Sequence, residues 1–408
     1  MSVRDSGELR VAMVGYAFMG AAHSQAWRTV NRVFDLPVRA RMVAVAGRDA
    51  AKVSAAADQL GWQEAMTDWR ALIARDDIDV IDICTPGDSH AEIAVAALAA
   101  GKHVLCEKPL ANTVTEAESM VEAAVAARAK GFRTMCGYNY RRVPAVALMA
   151  DLVAAGRIGR IRHVRAVYLQ DWIVNPQFPL VWRLQRERAG SGALGDIGAH
   201  IVDLTQFVTR QFITGVSSVT ATFVTERPLP AEASGLSASA GNGGPSGTGP
   251  VTVDDAALFL ARLSGGAVAT YEATRFATGR KNALRVEVNG SQGSLAFDLE
   301  RLNELEFYDA TQPEAEQGFR RILVTEPAHP YMSAWWPPGH IIGYEHSFTH
   351  QMRDLIDAIA NDRDPHPTFD DALRVQYVLD AVERSAKSGA WTDVGPVHVP
   401  GQVSASTL

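Results

Sequence analysis

The sequence predicts two domains of different class, an N-terminal α/β domain built on a doubly wound parallel sheet and a C-terminal α+β domain. Short apolar runs alternate with helix-like stretches over the first ~140 residues, which is typical of parallel strands joined by crossover helices. Later strands are longer, alternate in polarity and are separated by glycine turns, which indicates a mostly antiparallel sheet. The length of 408 residues fits two or three domains. We expect the first domain to span residues 1–140 and the second residues 141–408.

The acidic balance of the chain argues against several classes of partner. A net charge of −7 and an isoelectric point near 5.9 disfavour nucleic acid and anionic membranes, because both attract a basic face. No run approaches the ~18 apolar residues of a membrane span, and residues 1–5 lack a signal-peptide pattern. The three cysteines stand in apolar runs and indicate buried thiols in a reducing compartment. We therefore expect a cytoplasmic protein.

The first strand-like run, residues 9–15, leads through a glycine turn into a helix-like stretch at 21–30. The turn departs from G-x-G-x-x-G because Ala17 replaces the second glycine. Gly15 retains the tight turn, and Gly20 lets the helix pack closely on the strand. Alanine is small enough for a pyrophosphate to approach the positive end of the helix. The candidates for cofactor binding here are Gly15, Ala17, Phe18, Met19 and Gly20.

The second strand, residues 42–46, is followed by Gly47-Arg48-Asp49, where a dinucleotide-binding fold recognises the adenosine ribose. An acidic residue is expected there for NAD. A small residue followed by arginine instead leaves room for a 2′-phosphate, which the planar cation of Arg48 can hold. The sequence thus leans towards NADP, with NAD left open. In the alternative interpretation, Arg48 is solvated and Asp49 caps the next helix.

A further buried strand spans residues 80–86, and the next helix spans 91–100. Thr85 and Pro86, at the end of that strand, are candidates for cofactor binding. His90 stands at the helix start, beneath the edge of the sheet where a ligand would bind, and is another candidate. The alternative for His90 is a capping or core role. A helix at 115–130 and a strand-like run from 134 continue the alternation.

The apolar run 103–106 ends abruptly in Glu107-Lys108-Pro109. Such a run predicts a buried parallel strand whose carboxyl end faces the ligand crevice, which places Glu107 and Lys108 at the mouth of a site. Pro109 lacks an N–H group and fixes its own backbone, so it ends strand pairing and holds Lys108 in one direction. An ordinary solvated Glu-Lys pair is the alternative, and the upstream dinucleotide pattern argues against it.

The second half of the chain contains alternating strands followed by two amphipathic helices. The strands are expected at 161–172, 216–225, 256–263, 267–274, 284–289 and 294–298. The helices are expected at 350–360 and 371–385, so that the segment 350–385 packs back on the domain. Residues 231–250 are rich in Gly, Ser, Ala and Pro, and we interpret them as a flexible insertion.

A glycine-rich loop, residues 190–198, runs into a helix that contains His200. Asp196 and His200 are four positions apart, so on a helix they share a face, and the glycines let that face approach another surface closely. An imidazole beside a carboxylate suits the removal of a hydroxyl proton as hydride leaves the same carbon. The alternative is a helix-capping aspartate with a buried histidine bonded to it.

These motifs together resemble the glucose–fructose oxidoreductase and inositol dehydrogenase family. The resemblance covers nearly the whole chain. It rests on the turn at 15–20, Glu107-Lys108-Pro109, Tyr138-Asn139-Tyr140-Arg141, Trp182-Arg183 and Asp196-x-x-x-His200. The family implies a Rossmann domain, a C-terminal domain with a large open sheet that often forms dimers or tetramers, and NAD(P)-dependent redox chemistry on sugars or cyclitols. We therefore expect a homodimer or homotetramer assembled through the C-terminal sheet.

The resemblance also implies roles for individual residues. Lys108 would contact the nicotinamide ribose and the substrate hydroxyl, His200 would be the general base, and Asp196 would orient His200 or bind a neighbouring hydroxyl. Positions taken from the matching motifs add Glu107, Asn139, Trp182 and Arg183 as cofactor contacts and Tyr140 as a substrate contact. The chain departs from the family pattern at Gly47-Arg48 and at Gly198-Ala199, which leaves the cofactor and the particular substrate open.

The expected mechanism brings Lys108 and His200 to one alcohol oxygen. A fixed ammonium stabilises the developing alkoxide while the imidazole accepts the proton. Trp172 suits the C–H face of a sugar, and Gln170 suits a hydroxyl. Strand alternation would place Asp171 on the opposite face, so we select Gln170 and Trp172 as substrate contacts.

The sequence leaves three alternatives to a dehydrogenase. One is a glycoside hydrolase that oxidises its sugar only transiently and keeps NAD tightly bound. Another is a regulator that binds dinucleotide or sugar without chemistry, but such a protein has no need of a base opposite Lys108. A metal enzyme is the third, based on His340, Glu345, His346 and His350. Because Ser347 stands where H-E-x-x-H requires glutamate, we expect no metal there.

Overall fold

The computed structural model describes residues 7–230 and 247–395, and these form two compact units. The first contains residues 7–139 and 345–376, and the second contains residues 140–230, 247–344 and 377–395. The chain passes from the first unit to the second at residues 139–140, and the segment 345–376 groups with the first unit. Most of the predicted insertion, residues 231–246, lies outside the described residues.

The first unit is built on a six-stranded sheet with the order β3-β2-β1-β4-β5-β6, and every neighbouring pair is parallel. Its elements are β1 (Glu8–Val14), α1 (Phe18–Val33), β2 (Arg39–Ala46), α2 (Ala50–Leu60), β3 (Glu64–Met66), α3 (Trp69–Ile73), β4 (Val80–Ile83), α4 (His90–Ala99), β5 (His103–Cys106), α5 (Val114–Arg128) and β6 (Thr134–Cys136). The strand order reverses between β1 and β4. In open α/β sheets, ligands bind outside the carboxyl ends of the strands at such a point.

Local sequence explains where several of these elements begin and end. All four residues of β4 and of β5 are buried, as expected for inner strands of a parallel sheet. Asp49 caps α2 by accepting a hydrogen bond from the Lys52 N–H at 3.0 Å, and Gly61 ends the helix with φ of +83°. Thr113 and Glu116 form a reciprocal capping box at the start of α5.

The second unit is built on a nine-stranded sheet in which β7 lies parallel to β12, and the other neighbouring pairs are antiparallel. Its elements are α6 (Pro144–Ala154), β7 (Ile161–Leu169), α7 (Arg186–Ala189), a π-helical turn (Leu194–Gly198), α8 (Ala199–Thr209), β8 (Ile213–Ala221), β9 (Glu226–Pro228), β10 (Thr248–Pro250), β11 (Ala256–Leu263), β12 (Val268–Thr274), β13 (Ala283–Gly290), β14 (Gly293–Asp298), β15 (Glu304–Asp309), β16 (Phe319–Leu323) and β17 (Thr392–Asp393). The sheet order is β16-β15-β14-β13-β7-β12-β11-β8-β17, and β9 pairs separately with β10.

One face of this sheet is covered by helices. The helix α8 packs on β7 and β13, and α6 packs on β14 and β15. The opposite face carries apolar side chains that are exposed to solvent: Val219 is 65%, Leu258 42%, Leu260 55% and Val268 52% exposed. Leu258 pairs directly with Val219 across β11 and β8, so these side chains form a contiguous apolar surface.

Two predicted strands end earlier than the sequence pattern suggests. The strand predicted at 161–172 ends at Leu169, because its partner β12 ends at Thr274, directly opposite Leu169. The strand predicted at 216–225 ends at Ala221. There the Asp255 carboxylate accepts the N–H groups of Phe223 and Val224, which replaces ladder pairing by a side-chain contact.

The closing helices are α9 (His346–Ala360) and α10 (Phe369–Ser388). The helix α9 packs on α1, which explains why residues 345–376 belong to the first unit. Within the residues that the structure describes, no helix is long and apolar enough to cross a membrane.

Candidate active site

The turn between β1 and α1 has the shape that a dinucleotide pyrophosphate requires. Gly15 has φ of +98°, and a Cβ atom there would lie 2.7 Å from the carbonyl oxygen of Cys84. A Cβ atom on Gly20 would lie 2.3 Å from the carbonyl oxygen of Gly15. Both positions therefore require glycine. Ala17 precedes the helix, and Phe18 and Met19 begin it, so the N–H groups of this turn stand at the carboxyl edge of the sheet.

The segment after β2 holds an aromatic ring that sequence reasoning missed. The ring of Tyr16 lies against Gly47, where an added Cβ atom would be 2.0 Å from a ring carbon. Arg48 is exposed, and no ion pair joins it to any residue within 7–230 or 247–395. Asp49 has the helix-capping role that the alternative interpretation gave it. Tyr16 and Arg48 therefore both lie beside Gly47, just after β2.

The end of β5 carries Glu107 and Lys108 in different environments. Lys108 is half-buried, and its peptide bond to Pro109 is cis. Glu107 differs from the expectation of a residue at the mouth of the site, because it is only 4% exposed. Its Oε1 atom lies 3.0 Å from Nε2 of His23, so the carboxylate is turned into the unit.

His90 joins two segments at the same edge of the sheet. Its Nε2 atom lies 2.9 Å from the carbonyl oxygen of Thr85, and its Nδ1 atom lies 3.0 Å from that of Pro109. The ring is 1% exposed, which favours the core role over direct contact with a ligand. Thr85 and Pro86 remain half-exposed after β4. Asn139 is buried and donates from Nδ2 to the Ser347 hydroxyl at 2.8 Å.

In the second unit, His200 lies beside two phenol rings. Its ring centroid is 4.6 Å from that of Tyr140 and 6.0 Å from that of Tyr168. The two phenolic oxygens are 2.8 Å apart. Burial raises the pKa of both tyrosines above the usual value, so both hydroxyls stay protonated and can donate hydrogen bonds.

A row of hydrogen bonds continues from these phenols. The Asn282 Oδ1 atom accepts from the Tyr168 hydroxyl at 2.8 Å and from Gln170 Nε2 at 2.7 Å. Trp172 Nε1 then donates to Gln170 Oε1 at 3.0 Å. Asp171 is directed elsewhere, since it accepts from Lys281 Nζ at 2.7 Å. Gln170 and Trp172 therefore stand together, while Asp171 belongs to a surface ion pair.

Asp196 lies in the π-helical turn that precedes α8, between two guanidinium groups. It is 3.6 Å from Nη1 of Arg275 and 4.0 Å from Nε of Arg183. The side chain of Arg275 is fully buried and lies over the Trp172 ring at 5.5 Å. Arg183 in turn lies over the Trp182 ring at 4.3 Å. Arg183 and Trp182 thus lie near Asp196 in the second unit, and their contact with the cofactor stays a prediction.

The glycine-rich loop before Asp196 approaches another backbone closely. A Cβ atom on Gly192 would lie 1.7 Å from the Asp254 carbonyl oxygen. The Asp254 carboxylate accepts the N–H groups of Gly192 and Leu194 at 2.7 and 2.8 Å. These bonds fix the start of the turn and so the direction of Asp196.

Several residues around the site gave no signal in the sequence. Asn282 and Arg275 lie far along the chain from His200 and Asp196, and sheet pairing brings them close. Tyr168 could have been found, because a polar-tipped residue stands at a position that strand alternation buries. Of the histidines considered as metal ligands in the sequence, His340 is exposed in the second unit and His350 is fully buried in the first.

Comparison with known proteins identifies the family. A family model described as an oxidoreductase family with an NAD-binding Rossmann fold matches residues 9–135. A second, described as the GFO/IDH/MocA C-terminal domain, matches residues 146–296. The levoglucosan dehydrogenase of Pseudarthrobacter phenanthrenivorans is 42% identical over 95% of this chain and 98% of its own length. The chain belongs to the GFO/IDH/MocA family of oxidoreductases.

Solved structures of GFO/IDH/MocA proteins agree with this assignment. The crystal structure of an oxidoreductase domain protein from Kribbella flavida is 60% identical, with a TM-score of 0.91 over 97% of this chain and 100% of that one. A levoglucosan dehydrogenase in complex with NADH and L-sorbose is 39% identical, with a TM-score of 0.89 over 96% and 100%. The predicted resemblance, fold class, enzyme class and NAD-type nucleotide-binding fold are therefore confirmed.

Proposed function

We propose that this GFO/IDH/MocA protein transfers hydride between a nicotinamide dinucleotide and a secondary hydroxyl of a sugar, anhydro sugar or cyclitol. The observation that carries the proposal is the polar row beside His200, which runs from Tyr140 through Asn282 to Trp172. Directional donors and acceptors next to an indole face suit a ring that bears several hydroxyls. The names of the similar levoglucosan dehydrogenases point to the same class of substrate.

The residues have distinct roles in this proposal. The glycine turn at 15–20 fits a dinucleotide, which when bound accepts the hydride at its nicotinamide ring. Lys108 stabilises the negative charge that develops on the substrate oxygen. His200 accepts the hydroxyl proton as general base. Asp196, directed by Arg183 and Arg275, binds a neighbouring hydroxyl or orients His200.

The choice between NAD and NADP is proposed to depend on Arg48. Its exposed guanidinium follows Gly47. Gly47 stands where an acidic residue would bind the adenosine ribose of NAD, and it has no carboxylate. This arrangement favours NADP because a 2′-phosphate binds an arginine in a bidentate manner. NAD is the alternative, and the NADH complex of the similar levoglucosan dehydrogenase favours it.

Assembly and location are proposed from two further features. The apolar surface formed by Val219, Leu258, Leu260 and Val268 suits the burial of one sheet against another copy, which gives a homodimer or homotetramer. All three cysteines are buried and none forms a disulfide, as is usual in the reducing cytoplasm.

A substrate screen tests the proposal. Purified protein is supplied with NAD+ or NADP+ and with a panel of pyranoses, anhydro sugars and inositols, and the reduced nicotinamide is measured by its absorbance. We expect reduction with at least one polyhydroxyl ring and none with simple secondary alcohols. Hydrolysis of a glycoside without net reduction would support the hydrolase alternative. Absence of any turnover despite tight dinucleotide binding would contradict the proposal.

A further inference from the structure

A fully buried histidine joins two carboxylates beneath the dinucleotide turn. His23 lies on α1 and is 0% exposed. Its Nδ1 atom is 3.0 Å from both carboxylate oxygens of Asp82 on β4. Its Nε2 atom is 3.0 Å from Oε1 of Glu107, at the end of β5. The three residues connect a helix to two neighbouring strands, and the chain leads directly from Glu107 to Lys108.

Other groups complete the surroundings of His23. Trp27 donates from Nε1 to Asp82 Oδ2 at 2.8 Å. The Cys84 sulfur lies 3.4 Å from His23 Nδ1 and 3.5 Å from Asp82 Oδ1. The ring of Phe348 on α9 is 5.5 Å away. The titratable groups that face His23 are therefore Asp82, Cys84 and Glu107, and burial raises the pKa of the Cys84 thiol above its usual value.

The hydrogen bonds of His23 favour a proton on both of its ring nitrogens. An ionised carboxylate only accepts, whereas a neutral imidazole donates from one nitrogen alone. A neutral His23 would thus direct a lone pair at one of two buried carboxylates. Each carboxylate has another donor as well, namely Trp27 for Asp82 and the Lys108 N–H for Glu107 at 3.3 Å. Both carboxylates are therefore favoured as anions, and the imidazole as a cation.

The balance of burial and charge agrees with this assignment. Burial, the largest single effect, lowers the pKa of His23, but the charges and hydrogen bonds of Asp82 and Cys84 together outweigh it, and the pKa is raised well above the usual value. His23, Asp82 and Cys84 are spaced closely enough to hold a metal ion. An imidazolium has no lone pair with which to bind a metal ion. The hydrogen bonds therefore favour a protonated His23 over a metal ion between these three residues.

Glu107 is also confined on its opposite side. A Cβ atom on Gly137 would lie 2.4 Å from Glu107 Oε1, so the carboxylate fits only because that position is glycine. The carboxylate is thus held between His23, the bare backbone of Gly137 and the N–H group of Lys108.

We propose that His23 is a permanently protonated positioning residue that clamps Glu107 and thereby fixes the direction of Lys108. The clamp rests on the proposed function, since Lys108 is the group that acts on the substrate. His23 itself touches neither cofactor nor substrate in this account. Groups that orient a reacting residue in this way typically change activity about 10–100-fold when they are removed.

The charge of His23 is tested directly by NMR on the intact protein with isotope-labelled histidine. We expect both ring nitrogens of His23 to carry protons from about pH 6 to about pH 8, whereas an exposed histidine loses one in that range. The signal is assigned by its loss in His23→Gln, or by its shift in Trp27→Phe if the first variant does not fold. A neutral His23 at the upper end of that range would overturn the proposal. This measurement needs no turnover, so it is independent of the proposed function.

Kinetics test the positioning role with the substrate found in the screen. We expect His23→Gln to lower kcat about 10–100-fold with little change in the Kd for dinucleotide or in KM. The variant His23→Gln/Glu107→Gln also removes the charge of Glu107, one of the two carboxylates that lose the imidazolium, and should recover part of kcat. An unchanged kcat in folded His23→Gln, or no recovery in the paired variant, would contradict the clamp.

Discussion

Two buried histidines of the first unit differ in charge because their neighbours differ. His23 faces two carboxylates. His103 instead accepts the Arg133 N–H at its Nδ1 atom, at 3.0 Å, and burial lowers its pKa to about 4. His103 therefore stays neutral in the folded protein until the pH falls to about 4.

His103 should make the protein less stable in acid. A pKa lowered on folding gives stability that is present above about pH 6.5 and is lost as the pH falls to about 4. The loss amounts to about 3 kcal/mol over that range. Urea unfolding at several pH values measures the free energy of unfolding. Between about pH 4 and about pH 6.5, this free energy should change less steeply with pH in His103→Gln than in the parent. Equal slopes would show that His103 does not titrate in this way.

The cofactor preference is tested at Arg48. Arg48→Ala should weaken NADP binding about tenfold or more, because a charge-assisted contact to the 2′-phosphate is lost. NAD binding should change little. Titration of both dinucleotides by fluorescence measures the two Kd values, and Lys52→Ala, an exposed cation on α2, serves as the control. An equal effect on both dinucleotides would remove the support for a preference for NADP.

At this scale the sequence predicts residue types better than their contacts. Glu107-Lys108-Pro109 stands at the strand end where its apolar run places it. The inward turn of the Glu107 carboxylate depends on His23, which lies 84 positions away. A lone histidine within a helix gives no sign of such a partner, since the contact exists only after the sheet has formed.

At the level of elements, the glycine turn is the feature that sequence defines most closely. Both Gly15 and Gly20 have the roles that the G-x-G-x-x-G comparison assigns, and the structure adds the contacts that exclude a side chain. Strand ends are less predictable. Polarity alternates past Leu169 and Ala221, but pairing stops where the partner strand ends or where Asp255 takes the backbone N–H groups.

The close approach of α1 to the turn can be tested at Gly20. Gly20→Ala should destabilise the protein by about 1–3 kcal/mol and weaken dinucleotide binding, although alanine is the better helix former. Gly318→Ala is the matched control, because nothing lies within 4 Å of an added Cβ atom there. Thermal unfolding and dinucleotide titration measure both effects. A Gly20→Ala protein equal to the control would contradict the tight turn.

At the scale of the whole molecule, the sequence pattern changes near residue 140, but it does not show that residues 345–376 pack with the first unit. The boundary near residue 140 follows from the change in pattern. The assignment of residues 345–376 to the first unit depends on the packing of α9 against α1, and an amphipathic pattern shows which face of a helix is buried without showing its partner.

The proposed assembly is tested on the apolar face of the nine-stranded sheet. Leu260→Glu places a charge among Val219, Leu258 and Val268, and should shift the protein to monomers because burial of that charge is costly. Sedimentation equilibrium measures the mass. Ile341→Glu, at a loop position that is 67% exposed, is the control. An unchanged oligomer in Leu260→Glu would exclude this face as the interface.

We propose that Lys108 and His200 act on the same substrate hydroxyl, Lys108 as the fixed cation and His200 as the base.

The most direct test is the turnover of Lys108→Ala, His200→Ala and the double variant, with Lys130→Ala and His340→Ala as exposed controls. We predict that each single variant loses activity about 10²–10⁴-fold while dinucleotide binding stays near normal. The double variant should be little worse than either single one, as for residues that act as a unit. Near-normal kcat in either single variant, or fully multiplicative losses in the double variant, would contradict the claim.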